Sequence, residues 1–132
     1  MKILIIIAGV IGIVFAVFSK APAPLSPEYQ SGHVAYVIDG DTLILSGSKL
    51  RLRLWGVDAP EMKDKGGEQS KIALSRLVQG KKISFIKIDA DKYGRTVARV
   101  FVKDQEINKL MIQSPHATEY HRYSKGFYGT SQ

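Results

Sequence analysis

The 132-residue sequence contains no cysteine, which excludes a disulfide framework, a thiolate zinc site and a cysteine nucleophile. Acidic residues are few: 12 Asp and Glu stand against 19 Lys and Arg, so the formal net charge is +7. This excess of positive charge favours a polyanionic partner such as nucleic acid or anionic lipid. Apolar residues make up 45% of the chain, which excludes disorder throughout and is enough for one small packed domain.

The N-terminal residues are typical of a targeting segment. Lys2 precedes sixteen uncharged, mostly apolar residues, 3–18. As a helix they would span about 24 Å, less than the ~30 Å hydrocarbon core of a bilayer. We therefore predict that residues 1–23 are a signal peptide or an N-terminal membrane anchor, and both readings stay open. Either one predicts an exported protein that is secreted, periplasmic, or anchored through residues 3–18 to the outer side of the cytoplasmic membrane.

A proline-rich tether is predicted over residues 24–32, and a single domain over residues 33–132. Within that domain the apolar patterning predicts one amphipathic helix over residues 68–78 and a short helix over residues 108–113. Runs rich in β-branched and alternating apolar residues predict five strands at 33–38, 42–46, 49–55, 82–88 and 95–102. Five strands with a helix between the third and fourth are typical of the OB-fold, a mainly β barrel with helices of the α+β class.

Carboxylates stand at the ends of the predicted strands. Asp41 opens the second strand and Asp58 follows the third, so neighbouring strands could bring two hard oxygen ligands to one point, as Ca²⁺ requires. Pro60 would fix the offset of the Glu61 carboxylate from a metal bound by Asp58. Each motif also has a purely structural interpretation, because Asp-Gly commonly makes a turn and Asp-Ala-Pro-Glu a surface loop.

Two arginines lie close to the same loops. Arg53 is on the polar face of the third strand, and Arg95 opens the fifth strand after a turn-forming stretch. Guanidinium groups bind phosphate through two parallel hydrogen bonds and stabilise charge on phosphoryl oxygens, which suits phosphodiester cleavage. The alternative is an arginine on a solvated strand face, which we expect for Arg51.

Three motifs in register resemble the staphylococcal nuclease (thermonuclease) family: IDGDT at 38–42, RLWGVDAPE at 53–61 and DKYGR at 91–95. The resemblance runs from about His33 to Tyr123. It implies a calcium-dependent endonuclease that hydrolyses phosphodiester bonds of DNA and RNA and leaves 3′-phosphate ends. It also implies roles for nine residues: calcium ligands at Asp41, Asp58 and the Ala59 carbonyl, catalytic groups at Arg53, Glu61 and Arg95, and substrate contacts at Lys92, Tyr93 and Tyr120.

The chain departs from the family pattern in two places. The loop after Glu61 is short for the family, so a lid role is not expected there. Nine residues follow Tyr123 where family members continue through another helix, so we expect a truncated C-terminal helical region and a marginally stable domain.

We expect a monomer that acts on DNA and RNA. Two other functions stay open at the sequence level. One is a non-catalytic OB module that only binds nucleic acid, and the other is a membrane-tethered module that binds anionic lipid.

Overall fold

The computed structural model of the chain describes residues 26–132 and, before them, residues 9, 12–14 and 21–23. The remainder of the predicted targeting segment, and Pro24 and Leu25 of the predicted tether, lie outside the described residues. Among the residues that are described, no helix is both long enough and apolar enough to span a membrane. The signal peptide or anchor therefore stays a prediction.

Most of the domain is a closed barrel. The elements in chain order are β1 (Gln30–Asp39), β2 (Thr42–Leu45), β3 (Arg51–Leu54), β4 (Val57–Asp58), α1 (Gly67–Val78), β5 (Lys82–Ala90), β6 (Thr96–Val102), β7 (Gln105–Glu106), α2 (Ile107–Gln113), β8 (Thr118–Glu119) and α3 (His121–Ser124). The main sheet has the order β3-β2-β1-β5-β6-β7, and a further pairing of β3 with β6 closes it. That closing pair is parallel, whereas the other pairs are antiparallel. The five-stranded mixed barrel confirms the predicted OB-fold.

Alternation along β3 separates the core from the functional face. Leu52 and Leu54 are fully buried inside the barrel, while Arg51 and Arg53 point to the other face. Helix α1 packs Leu74 against the same core. The largest fully buried side chains are Phe85, Leu43, Leu52, Leu54, Leu74, Ile83, Ile107 and Met111. Burial of one such side chain stabilises the fold by about 1.5–3 kcal/mol, so the core fixes the strands that carry the polar face.

A buried asparagine joins α2 to the barrel. The Asn108 side chain accepts a hydrogen bond from the Val100 amide at 2.9 Å. Its amide group donates to the carbonyls of Trp55 at 2.9 Å and Ala98 at 3.1 Å. Every polar atom of this fully buried side chain is therefore satisfied, and the chain just after β3 is held at a fixed position.

The first strand begins earlier than the sequence predicts. β1 starts at Gln30, three residues before His33, because residues 30–33 pair with Lys82–Phe85 of β5. That partner is remote in sequence, and the Ser31-Gly32 pair gives no local strand signal. The last three predicted tether residues therefore belong to the barrel.

The two-residue strands and the C-terminal segment were not predicted, because runs this short have no periodicity. β4 pairs with β8, which places Asp58 opposite Thr118. The segment predicted to be a truncated helical region forms β8, the single turn α3 and a series of turns. It is tied down by the Glu119 carboxylate, which is fully buried and accepts hydrogen bonds from Ser124 Oγ at 2.5 Å and from the amides of Tyr128 and Thr130 at 3.0 and 3.1 Å.

Candidate active site

Asp41 is a nearly buried carboxylate at the start of β2. Its side chain is 13% exposed and lies 3.5 Å from Arg53 Nη2, and the hydroxyl of Thr42 donates to Asp41 Oδ1 at 2.9 Å. The Asp41 amide donates to Asp39 Oδ1 at 3.0 Å, which shapes the tight turn between β1 and β2. Asp41 thus lies at the end of the turn between β1 and β2, and the turn keeps its carboxylate mostly buried.

The surroundings of Asp41 leave its negative charge poorly compensated. Burial raises the pKa of Asp41 to about 6, the neighbouring Asp39 adds to the rise, and the attraction of Arg53 only partly opposes it. A carboxylate whose charged form is this unfavourable is stabilised by an additional cation. A cation placed beside Asp41 would lower this pKa.

Arg53 is fixed by several hydrogen bonds and is not the solvated arginine of the alternative interpretation. Nη1 donates to the carbonyls of Leu54 at 2.7 Å and Val57 at 2.9 Å, while Nη2 faces Asp41. Only 17% of the side chain is exposed. Because Val57 begins β4, Arg53 also joins the Asp41 turn to the strand that carries Asp58.

Arg95 is fixed by Asp91 in a compact loop. Arg95 Nε lies 2.7 Å from Asp91 Oδ2, and Asp91 Oδ1 accepts the amides of Tyr93 at 2.9 Å and Arg95 at 3.0 Å. Burial raises the pKa of Asp91, but these hydrogen bonds outweigh it and hold the pKa below its usual value. Asp91 therefore stays charged and orients the guanidinium.

Thr42 links the two halves of this polar cluster. Arg95 Nη1 donates to Thr42 Oγ1 at 3.3 Å, and the same hydroxyl donates to Asp41. Asp41, Arg53 and Arg95 are thus brought together on one face of the barrel. The roles of Thr42 and Asp91 were not predicted, although the four-residue spacing between Asp91 and Arg95 was a signal for Asp91.

An open groove of about 530 Å³ extends from the two arginines. Its lining contains all three predicted substrate contacts, Lys92, Tyr93 and Tyr120, together with Trp55, Ile88, Asp89 and Tyr123. Tyr120 and Tyr123 pack edge to face with ring centroids 5.0 Å apart. Tyr120 was predicted as the substrate contact in preference to Tyr123. Their positions do not distinguish them, because both residues line the groove.

Arg51 makes a tertiary contact that its position in the sequence does not predict. Its guanidinium donates to the carbonyl of Tyr93, and the side chain also packs beside Gly94. Arg51 is exposed, as expected for an arginine on a solvated strand face, and only its contact with a loop more than forty residues away in sequence was not predicted. Arg51 holds the loop that carries Lys92 and Tyr93 against the barrel.

Glu61 lies apart from the arginines. Its side chain is 71% exposed and its carboxylate is 3.4 Å from Lys63 Nζ. It lines a separate open cleft of about 650 Å³ with Asp58, Ala59 and His116. The structure therefore groups Glu61 with two predicted calcium ligands and does not bring its carboxylate into the arginine groove.

The donor atoms near Asp41 suit a hard divalent cation. In residues 26–132 and the short described stretches before them, no three His, Asp or Glu side chains lie close enough to hold a metal by themselves. The glycine between Asp39 and Asp41 packs the turn closely against the Asp58 loop, since a Cβ on Gly40 would lie 2.8 Å from Ala59 Cβ. Two carboxylates and the Ala59 carbonyl would supply oxygen ligands, and water would complete the six to eight that Ca²⁺ takes. The donor set fits calcium on these grounds.

Comparison with known proteins gives one family. Residues 51–132 match the family model described as staphylococcal nuclease homologue. The chain is 31% identical over 108 residues to "Probable staphylococcal-like nuclease CAN2" of Oryza sativa subsp. japonica, a match that covers 82% of this chain and 29% of that protein.

Two bacterial relatives have a comparable sequence identity to this chain. The chain is 36% identical over 115 residues to an uncharacterized endonuclease of Haemophilus influenzae, covering 85% of this chain and 62% of the relative. It is 34% identical over 96 residues to an uncharacterized endonuclease of Escherichia coli O157:H7, covering 70% and 63%. The chain thus spans less than two thirds of the length of these curated relatives.

Proposed function

The chain belongs to the staphylococcal nuclease family, and on that premise we propose that it is a calcium-dependent endonuclease that hydrolyses phosphodiester bonds of DNA and RNA. One observation carries the proposal. Asp41 is joined to Arg53 directly and to Arg95 through Thr42, and both arginines line an open groove. A cation site beside two fixed guanidinium groups suits a reaction in which negative charge grows on phosphoryl oxygens.

The arginines bind and orient the phosphate in this proposal. Each guanidinium is fixed by protein carbonyl or carboxylate groups, so the arginine side chains lose little conformational entropy when substrate binds. Arg53 uses Nη1 for two carbonyls, and Arg95 uses Nε for Asp91 and Nη1 for Thr42. The Nη2 atom of each guanidinium, which in Arg53 also faces Asp41, keeps N–H groups for a phosphate. These donors would stabilise the two non-bridging oxygens as attack proceeds.

Calcium would be held by Asp41, Asp58 and the Ala59 carbonyl, and when bound it would supply positive charge to the phosphoryl group and lower the pKa of an adjacent water. Glu61, on the loop that follows these ligands, would take the proton of the attacking water. The water oxygen forms a bond to phosphorus, the bond to the 5′ oxygen breaks, and that oxygen takes a proton from solvent. The products are a 3′-phosphate and a 5′-hydroxyl.

The groove suits a single strand of unspecified sequence. Lys92 supplies a cation for a flanking phosphate, and its ammonium lies 5.2 Å from the centroid of the exposed Tyr93 ring. Tyr120, Tyr123 and Trp55 offer aromatic faces on which any base can stack. This arrangement supports action on both DNA and RNA.

We also propose that the protein acts outside the cytoplasm as a monomer. The export part of this proposal is supported by the apolar run over residues 3–18, which would direct export or keep the domain at the outer side of the cytoplasmic membrane. Fractionation of cells that make the full chain tests the proposed export, because recovery of the protein in the cytosol would contradict it.

The decisive assay for the function uses the full chain, purified in mild detergent, with DNA and RNA in parallel. Degradation of both in calcium and none in chelator is the expected result. Chelator-resistant degradation would contradict the calcium site. Binding without degradation in calcium would instead support the non-catalytic module.

A further inference from the structure

One buried side chain in the barrel region has no assigned role. Ser70, the fourth residue of α1, is fully buried. Its hydroxyl has no hydrogen-bond partner among the described residues. Such groups are rare because an unsatisfied buried hydroxyl costs stability. No other described side chain has a buried nitrogen or oxygen atom in this condition.

The usual partner of a helical serine is not used here. A serine hydroxyl inside a helix commonly donates to the carbonyl four residues earlier. For Ser70 that carbonyl belongs to Gly66, and it accepts only the Ser70 backbone amide, at 3.0 Å. The hydroxyl is directed elsewhere.

It points at the turn that carries the predicted calcium ligand. A Cβ added to Gly40 would overlap the Ser70 hydroxyl oxygen and would lie 2.7 Å from Ser70 Cβ. The same Cβ would lie 2.8 Å from Ala59 Cβ. Ser70 is therefore packed behind Gly40 at the place where the Asp41 turn meets the Asp58-Ala59 segment. All the proposed protein ligands of calcium lie on these two segments.

We propose that Ser70 is a positioning residue of the cation site. Its unpartnered hydroxyl would take a hydrogen-bond partner from these two segments when they close around a cation. Groups behind the ligands commonly set metal affinity in this way. The inference rests on the proposed function, since it concerns the same calcium site.

The test compares Ser70→Ala with the parent and with Ser75→Ala, a matched serine-to-alanine change in the same helix. For each full-length protein, the thermal unfolding midpoint is measured in chelator and across a calcium series. The calcium dissociation constant follows from the rise of Tm with calcium concentration. Nuclease activity does not enter this measurement.

Ser70→Ala is expected to keep or raise the Tm in chelator, because it removes an unsatisfied hydroxyl and favours the helix. It is also expected to weaken calcium binding by about tenfold or more. Ser75→Ala should leave the calcium dissociation constant unchanged.

Three results would overturn the inference. A calcium dissociation constant within twofold of the parent would show that the hydroxyl does not act on the cation site. A lower Tm in chelator would make Ser70 an ordinary structural residue. A parent protein that binds no calcium would overturn the proposed calcium site itself, and this inference with it.

Discussion

Replacing Asp41 with asparagine should stabilise the protein in the absence of calcium. The folded state raises the pKa of Asp41 from 3.8 to about 6, chiefly through burial. Between these two values the folded protein binds the proton more tightly than the unfolded chain does. The contribution of Asp41 to stability is therefore full below about pH 4 and is lost as the pH rises through about 6.

The magnitude follows from the size of that shift. About two pKa units at ~1.4 kcal/mol each correspond to about 3 kcal/mol, which is the cost of ionising Asp41 in the folded protein near neutral pH. The side chain is 13% exposed, so solvent screens only a small part of it. Asparagine is nearly the same size and carries no charge. A gain of about 2–3 kcal/mol in the free energy of unfolding moves Tm upward by on the order of 10 °C for a domain of this size.

The assay is thermal unfolding in chelator from pH 4 to pH 8, with Asp104→Asn as a control that removes one exposed negative charge. The advantage of Asp41→Asn should appear above pH 6 and disappear near pH 4, while the control shows no such pattern. Calcium should raise the Tm of the parent and leave the variant unchanged. If the variant were instead less stable than the parent at neutral pH, the attraction of Arg53 would outweigh the burial cost, and the reasoning would be refuted.

Three further predictions concern catalysis and the C-terminal segment. Glu61→Gln should lower turnover by ~10²-fold or more with nearly unchanged nucleic-acid binding; a rate within a few fold of the parent would remove Glu61 from the mechanism. Arg53→Lys and Arg95→Lys should each lower kcat strongly, because an ammonium lacks the planar fork, whereas Arg76→Lys on an exposed helix face should not. Equal effects of all three in calcium-dependent digestion would contradict a phosphate clamp. Glu119→Gln should destabilise the protein by about 3 kcal/mol at neutral pH, because burial raises the pKa of Glu119 but the hydrogen bonds it accepts lower it further, to about 2. The stabilisation is present above about pH 4.5 and is lost as pH falls towards 2, and urea unfolding at both ends of that range measures it.

The barrel could be predicted from sequence because its strands have strong local signals. The strict alternation of Leu50, Leu52 and Leu54 with charged residues identifies β3, and Gly80, two residues after Val78, marks the end of α1. The extension of β1 to Gln30 and the pairing of β4 with β8 have no local signal. Each depends on a partner that only the closed fold supplies.

The candidate site likewise contains residues that the sequence predicts and residues that it does not. Asp41, Arg53 and Arg95 were predicted from motifs, and the structure brings them to one face. The contacts of Thr42 with Arg95 and of Arg51 with Tyr93 were missed because each joins residues more than forty positions apart. The position of Glu61 on its loop depends on how that loop turns, which residue types alone do not determine.

The parallel pairing of β3 with β6 has a consequence for the order in which the protein matures. It joins Leu52 to Thr96 and Arg53 to Val97, contacts between residues more than forty positions apart that form slowly because a long loop must close first. Arg53 and Arg95 come into register only through that closure. A newly made chain in which this pairing is still open therefore has no assembled phosphate site, so we expect cleavage activity only from chains whose barrel has closed.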